Sequence, residues 1–189
     1  IAFVGGYHIE KVIEAHPQLR YYHNNEWTSN NILESLFCAE SEMDSAFLVS
    51  YSDIVYRRSV VQRLVGSDSD VAIVVDRDWR QRYVGRSDHP EDEAEKVAVD
   101  KGKVVRAGKR LALDDTYGEF IGLAKFSSEI AHLMREHYFK IREDYLTRPF
   151  HEAPNIRQAY LTDMIEELTE LRVSIEPVDI WADWGEVDT

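Results

Sequence analysis

The chain has 189 residues, 44% apolar and 30% charged, which is enough for one domain with a continuous core and unlike a disordered segment. Its 22 Lys and Arg against 35 Asp and Glu leave a formal net charge of −13, which excludes a general nucleic-acid binder because a phosphate backbone needs a basic face. The longest apolar run, Val71-Ala72-Ile73-Val74-Val75, is far too short for a helical membrane span, and the single Cys38 excludes an intrachain disulfide framework. A cytoplasmic location with neither nucleic acid nor membrane as partner is therefore expected.

The first half alternates between strand and helix. Ile1 to Val4 reads as a buried strand, Gly5-Gly6 as a turn, His8 to Ala15 as a helix and Leu19 to Tyr22 as a second strand. Ile32, Leu36 and Met43, with Leu33 and Phe37, recur at helical spacing; Ser29, Asn30 or Asn31 can cap that helix, and Glu34 follows Asn31 at capping-box distance. Ala46 to Val49 is a strand, Ser59 to Val65 a helix, and Val71 to Val75 a strand buried on both faces. Strands separated by helices imply crossover units and a mainly parallel sheet.

The second half changes texture. Lys96 to Asp100 and Lys103 to Ala107 flank Lys101-Gly102 as a β-hairpin inserted on one sheet. Phe120 to Phe126 is a strand. A helix from Ser127 then aligns Ile130, Met134, His137, Ile141 and Tyr145, and a further helix carries Leu161, Met164, Ile165 and Leu168 before a last strand over 173–180.

In an open α/β sheet, ligands bind beyond the carboxyl ends of the strands. Phe47 to Ser50 delivers Asp53 just past such an end, and Val178-Asp179-Ile180 leads toward Trp184-Gly185-Glu186-Val187-Asp188. Two such aspartates suit one Mg²⁺, which prefers carboxylates, water and substrate phosphates; Asp53 is equally well read as a turn residue or helix cap. Asn24 through Asn31 is a run of short polar side chains at a helix start, either a ledge for a nucleotide or a polar turn. Trp79, Tyr83 and Arg86 follow the Val71–Val75 strand. Their rings and charge suit an ammonium group or a phosphate, or else cover the sheet. The seven His residues show no metal spacing, and His132 and His137, five apart on one helix, are a poor zinc pair.

Five segments together resemble the nucleotidyltransferases that couple CTP to small alcohol phosphates or phosphonates, a branch of the sugar-nucleotidyltransferase-like NTP transferases. They are Phe3-Val4-Gly5-Gly6-Tyr7; Asn24 with Trp27 to Ile32 and Ser35-Leu36; Leu48 to Asp53; Gly118 to Leu123; and Trp184 to Thr189. The likeness is nearest to cytidylyltransferases acting on phosphocholine or 2-aminoethylphosphonate, including domains fused to phosphoenolpyruvate mutase, which Ala159 to Asp163 also resembles. The resemblance implies a Rossmann-like three-layer α/β/α fold, with CTP or another NTP and a small phosphate or phosphonate as partners and a fused or associated biosynthetic enzyme.

It further implies Mg²⁺ on Asp53 and Asp188, the latter in a W-x-E-[IV]-D-T segment. The nucleotide falls near Thr28, Ser29, Asn30, Asn31 and Ser52, and the acceptor near Trp79, Tyr83, Arg86, Lys96, Glu119, Trp184 and Glu186. Similar enzymes begin with a strand and a glycine-rich loop bearing Arg and Lys, whereas Ile1 to Val4 matches the family's second strand. The expectation is a single domain over 1–189, truncated before its first strand and cut at its C-terminal end. The alternatives are a sugar-1-phosphate nucleotidyltransferase and a non-catalytic binding domain that has lost the loop.

Overall fold

The computed structural model describes residues 1–85 and 90–187. In chain order the elements are β1 (Ala2–Gly5), α1 (Ile9–Ala15), β2 (Arg20–His23), α2 (Ile32–Cys38), β3 (Phe47–Ser50), β4 (Ile54–Tyr56), α3 (Arg58–Val65) and β5 (Val71–Asp76). There follow α4 (Arg80–Tyr83), β6 (Lys96–Asp100), β7 (Lys103–Gly108), β8 (Gly118–Phe126), α5 (Ser128–Ile141), α6 (Leu161–Glu170), β9 (Ile175–Ile180) and β10 (Trp184–Glu186).

Local chemistry explains most of these boundaries. Asn31 caps α2 by accepting the Ile32 N–H, and Ser127 caps α5 by accepting that of Ile130. Glu34 does not close a capping box; its carboxylate takes the Tyr138 hydroxyl and pairs with Arg142 at 2.7 Å, tying α2 to α5. The β6–β7 hairpin turns through Lys101 and Gly102, both at positive φ as a tight hairpin turn requires. On α6 the box is formed by Asp163, which accepts the Tyr160 N–H at 2.8 Å.

The central sheet has the order β7-β6-β8-β5-β9, with β3 also paired to β8. It corrects the mainly parallel expectation. β3, β5, β6 and β9 run in one direction, but β8 runs against them and lies among them, so β5–β9 is the one parallel pairing among the described strands of this sheet. The hairpin reverses the chain, which re-enters the sheet from the opposite end. β8 then pairs with β5 on one edge and shares its other edge between β6, at Gly118 and Glu119, and β3, at Leu123 to Phe126.

β5 and β8 divide two cores between their faces. Val71, Ile73, Val75, Phe120, Ala124 and Phe126 face α5 and α6, while Ala72, Val74, Ile121 and Leu123 face α3 with Val60 and Leu64. These strands are buried on both sides, which is why they read as continuous apolar runs. The tight fit shows at Gly122, at φ +79°, where an added Cβ would lie 2.2 Å from the Tyr51 ring.

β1 and β2 form a separate parallel pair. Among the described residues β1 has only β2 as a strand partner and β3 only β8, and residues of both line one cavity of about 570 Å³. The short pair β4–β10, which the apolar pattern does not reveal, closes the opposite side of the β3–β4 turn.

Candidate active site

The cavity runs between β1, α2 and β3 and ends at Ser50, Tyr51, Ser52 and Asp53. Asp53 is delivered by the turn after β3, where the Tyr51 N–H donates to the Gly122 carbonyl at 2.9 Å and holds the strand end against β8. Its carboxylate is exposed and makes no hydrogen bond or ion pair with another described residue. An exposed, uncommitted strand-end carboxylate beside a cavity is a donor that fits Mg²⁺. The Val187 N–H donates to the Asp53 carbonyl at 2.6 Å, so the C-terminal segment runs directly past this turn. Asp188 and Arg86 lie outside the described residues.

On the other side of the cavity the polar ledge is organised around a residue that the motif reading left in the background. Asn24, 3% exposed, donates to Asn30 Oδ1 at 2.7 Å and to Ser35 Oγ at 2.8 Å, and accepts from Asn30 Nδ2 at 3.0 Å and from the Glu26 N–H at 3.1 Å. Asn30 is therefore committed to Asn24, Asn31 to its cap, and Ser29 donates to the Glu26 carbonyl. Thr28 is exposed. Of the expected nucleotide residues, Ser52 lines the cavity, joined by Ser35; Thr28, Ser29, Asn30 and Asn31 lie on the adjoining loop.

A second group gathers at the carboxyl end of β5. Asp76 is fully buried and accepts from Trp184 Nε1 at 2.8 Å, from the Asp78 N–H at 3.0 Å and from the Ala182 N–H at 3.1 Å, so it anchors the chain after β9. Glu119, opposite it on β8, is 5% exposed; one oxygen accepts the Tyr83 hydroxyl at 2.5 Å and the other has no hydrogen-bond partner. Burial pushes its carboxyl up to about 7, and the charges of Asp76 and Glu186 act in the same direction. Arg82 donates to the Trp184 carbonyl at 2.9 Å and stacks 4.0 Å over its ring, bringing the guanidinium beside these acids.

The structure thus brings Tyr83, Glu119 and Trp184 together, with Glu186 on β10. Two expected acceptor residues border this group without exposing their functional ends. Trp79 is 3% exposed and packs edge-on to Tyr83. Lys96, the β6 partner of Glu119, is buried with its ammonium donating to the Lys109 and Asp92 carbonyls.

A third group was not apparent in the sequence. The Tyr51 hydroxyl spans both oxygens of Glu95 at 3.1 and 3.2 Å, and burial raises Glu95 to about 7. Lys109 lies 4.0 Å over the Tyr160 ring close by. Tyr51 and Tyr160 both lie in segments that carry the family resemblance, but nothing in their spacing joins them to Glu95.

A mixed α/β sheet with carboxylates delivered at strand ends beside a cleft is where open α/β folds place their ligands. No protein-family model matches it. In sequence it is 28% identical to a CTP:phosphoglutamine cytidylyltransferase of Campylobacter jejuni, over all of this chain and 77% of the relative. In structure it is similar to the inositol-1-phosphate CTP transferase of T. maritima, with a TM-score of 0.68, 16% identity, and 97% of this chain and 68% of the other covered. It is also similar to a CTP:phosphocholine cytidylyltransferase of Streptococcus pneumoniae, with a TM-score of 0.65, 12% identity, and 100% and 73% of the two chains covered. The proteins it is similar to are nucleotidyltransferases, cytidylyltransferases among them, and the chain shares their fold.

Proposed function

We propose that this chain carries the catalytic core of a CTP-dependent cytidylyltransferase whose acceptor is a small phosphate or phosphonate bearing a cationic nitrogen. The observation that carries the reading is Asp53: an uncommitted strand-end carboxylate at the mouth of the cavity, bonded through its carbonyl to Val187, the residue before Asp188. An acceptor oxygen attacks the α-phosphorus of CTP, the bond to the β-phosphate oxygen breaks, and pyrophosphate leaves. No covalent intermediate with the protein is needed, so the residues act by positioning and by charge.

Asp53 and Asp188 are the residues that would hold Mg²⁺, which when bound neutralises phosphate charge. Ser52 and the Asn24–Asn30 loop flank the nucleotide. Glu119, Tyr83 and Trp184 face the acceptor, where a carboxylate and aromatic rings suit an ammonium group. Asp76, saturated by three donors, keeps Trp184 in place. The cavity between β1 and β3 is assigned to the strand and glycine-rich loop that the family resemblance implies; the two strand edges on its walls support that assignment.

The test is pyrophosphate release with Mg²⁺ by the full-length gene product. It crosses CTP, UTP, ATP, GTP and dTTP with phosphocholine, 2-aminoethylphosphonate, 2-hydroxyethylphosphonate, phosphoglutamine and glucose 1-phosphate. A CTP-selective signal with an amino-bearing acceptor is expected. Turnover confined to glucose 1-phosphate would move the enzyme to the sugar branch, and silence throughout from a folded protein would leave a binding domain.

A further inference from the structure

The helical layer holds a cluster that the transfer chemistry does not use. His137 on α5 donates from Nε2 to Glu167 Oε1 across 2.6 Å, and His151, in the turn before α6, donates from Nε2 to Glu167 Oε2 across 2.7 Å. Glu170, one turn along α6 from Glu167, brings a carboxylate oxygen to 4.0 Å from His151 Nδ1. One ligand atom each of His151, Glu167 and Glu170 lies within 4.8 Å of the other two.

We propose that His151, Glu167 and Glu170 form a zinc site, with His137 as the outer partner that orients Glu167. Three features point there. The donor set is imidazole nitrogen with carboxylate oxygen, which suits Zn²⁺ better than the oxygen-seeking Mg²⁺ or Ca²⁺. No described Lys or Arg lies within ion-pairing distance of Glu167 or Glu170, so two carboxylates share only imidazoles for compensation. The site is also half-enclosed: the side chains of His137, His151 and Glu167 are 16%, 13% and 14% exposed, while Glu170 is 67% exposed and leaves a path for entry and a position for water.

A hydrogen bond from His137 to the second oxygen of Glu167 is the arrangement by which outer partners aim a ligating group. Closing the three donors on an ion asks for adjustments of the order of an ångström, because Zn–N and Zn–O bonds are about 2.0–2.2 Å.

The site sits where the turn, α6 and the hairpin already meet. His151 belongs to the turn that also carries Glu152, which accepts from the Lys109 N–H at 2.7 Å and from that of Arg110 at 3.0 Å. α6 reaches the same hairpin through Glu166, which accepts the Ala107 N–H at 2.6 Å, and caps the turn through Asp163, which accepts the Glu152 N–H at 2.9 Å. Zinc between His151 and α6 therefore clamps the turn, α6 and the hairpin as one unit, and does so on the helical layer, not at the strand ends where Asp53 lies.

The experiment titrates Zn²⁺ alone into the full-length protein at pH 7.5, by competition with a chromogenic chelator and by thermal melting. It compares wild type with His151→Ala, Glu170→Gln and Asp53→Asn. One equivalent should bind in the micromolar range or tighter. Affinity should fall about tenfold or more in Glu170→Gln and His151→Ala, and it should be unchanged in Asp53→Asn. Zinc should raise the melting temperature of wild type and Asp53→Asn by several degrees more than that of His151→Ala. Glu170 is exposed, so Glu170→Gln decides the matter even where His151→Ala folds poorly. Absence of saturable micromolar binding overturns the proposal, as does a site lost in Asp53→Asn and kept in Glu170→Gln.

Discussion

The strands around β5 and those around the cavity are built on opposite terms. Along β5 every residue from Val71 to Asp76 is buried, flanked by β8 and β9 with a core on each face. Among the described residues β1 and β3 have one strand partner each, and both look onto a cavity. In the first, the buried Asp76 accepts from three donors, and an oxygen of Glu119 beside it is left without a partner among the described residues. The second leaves Asp53 uncommitted and Ser52 at the cavity wall. Packing on both faces holds the first region rigid, and the second keeps an exposed carboxylate beside open space.

The largest expected effect comes from removing the open valence. Asp53→Asn should lower pyrophosphate release by about a hundredfold or more, with a melting temperature close to wild type because the side chain is exposed and unpaired. Wild-type turnover would take Asp53 out of the metal site. On the saturated side, Gly122→Ala places a Cβ on the Tyr51 ring at a positive φ. It should destabilise by about 3 kcal/mol in denaturant titration, and an unchanged midpoint would mean that the β3–β8 contact is loose.

A smaller, pH-dependent effect belongs to Glu119. Its folded pKa of about 7 lies above the ordinary carboxyl value of 4.5, so the folded state holds a proton that the unfolded chain has lost. Its contribution to stability is fully present below about pH 4.5, declines as pH rises, and is gone above about 7. Glu119→Gln should therefore gain about 2 kcal/mol on wild type at pH 8 relative to pH 5, measured as the difference in unfolding free energy at the two pH values. An equal offset at both would show Glu119 to be ionised throughout. The smallest effect is at the rim of the cavity, where Asn31→Ala removes the α2 cap. It should cost about 1 kcal/mol and is checked by the same titration.

Much of the fold was legible. The apolar run at 71–75, the caps at Asn31 and Ser127 and the hairpin at Lys101-Gly102 each follow from local chemistry acting on neighbours. Glu34 shows where such reasoning stops: its spacing suits a capping box, but Tyr138 and Arg142, about a hundred residues away, offer a stronger partner. Lys96 and Trp79 read as ligand groups because a charge and an indole near a strand end look available. Only the packed structure shows that both are already engaged. His137, half of a poor zinc pair by spacing, shares Glu167 with His151 because two helices and a turn converge.

What the sequence determined by itself was most of the longer elements and the arrival of Asp53 at the end of an apolar strand, since burial period and capping act over a few residues. The tertiary structure alone decided the reversed direction of β8, the cavity between β1 and β3, the partnerless oxygen of Glu119 and the His–Glu cluster. Each of these depends on which distant segments pack together, and nothing in the spacing along one segment encodes its partner.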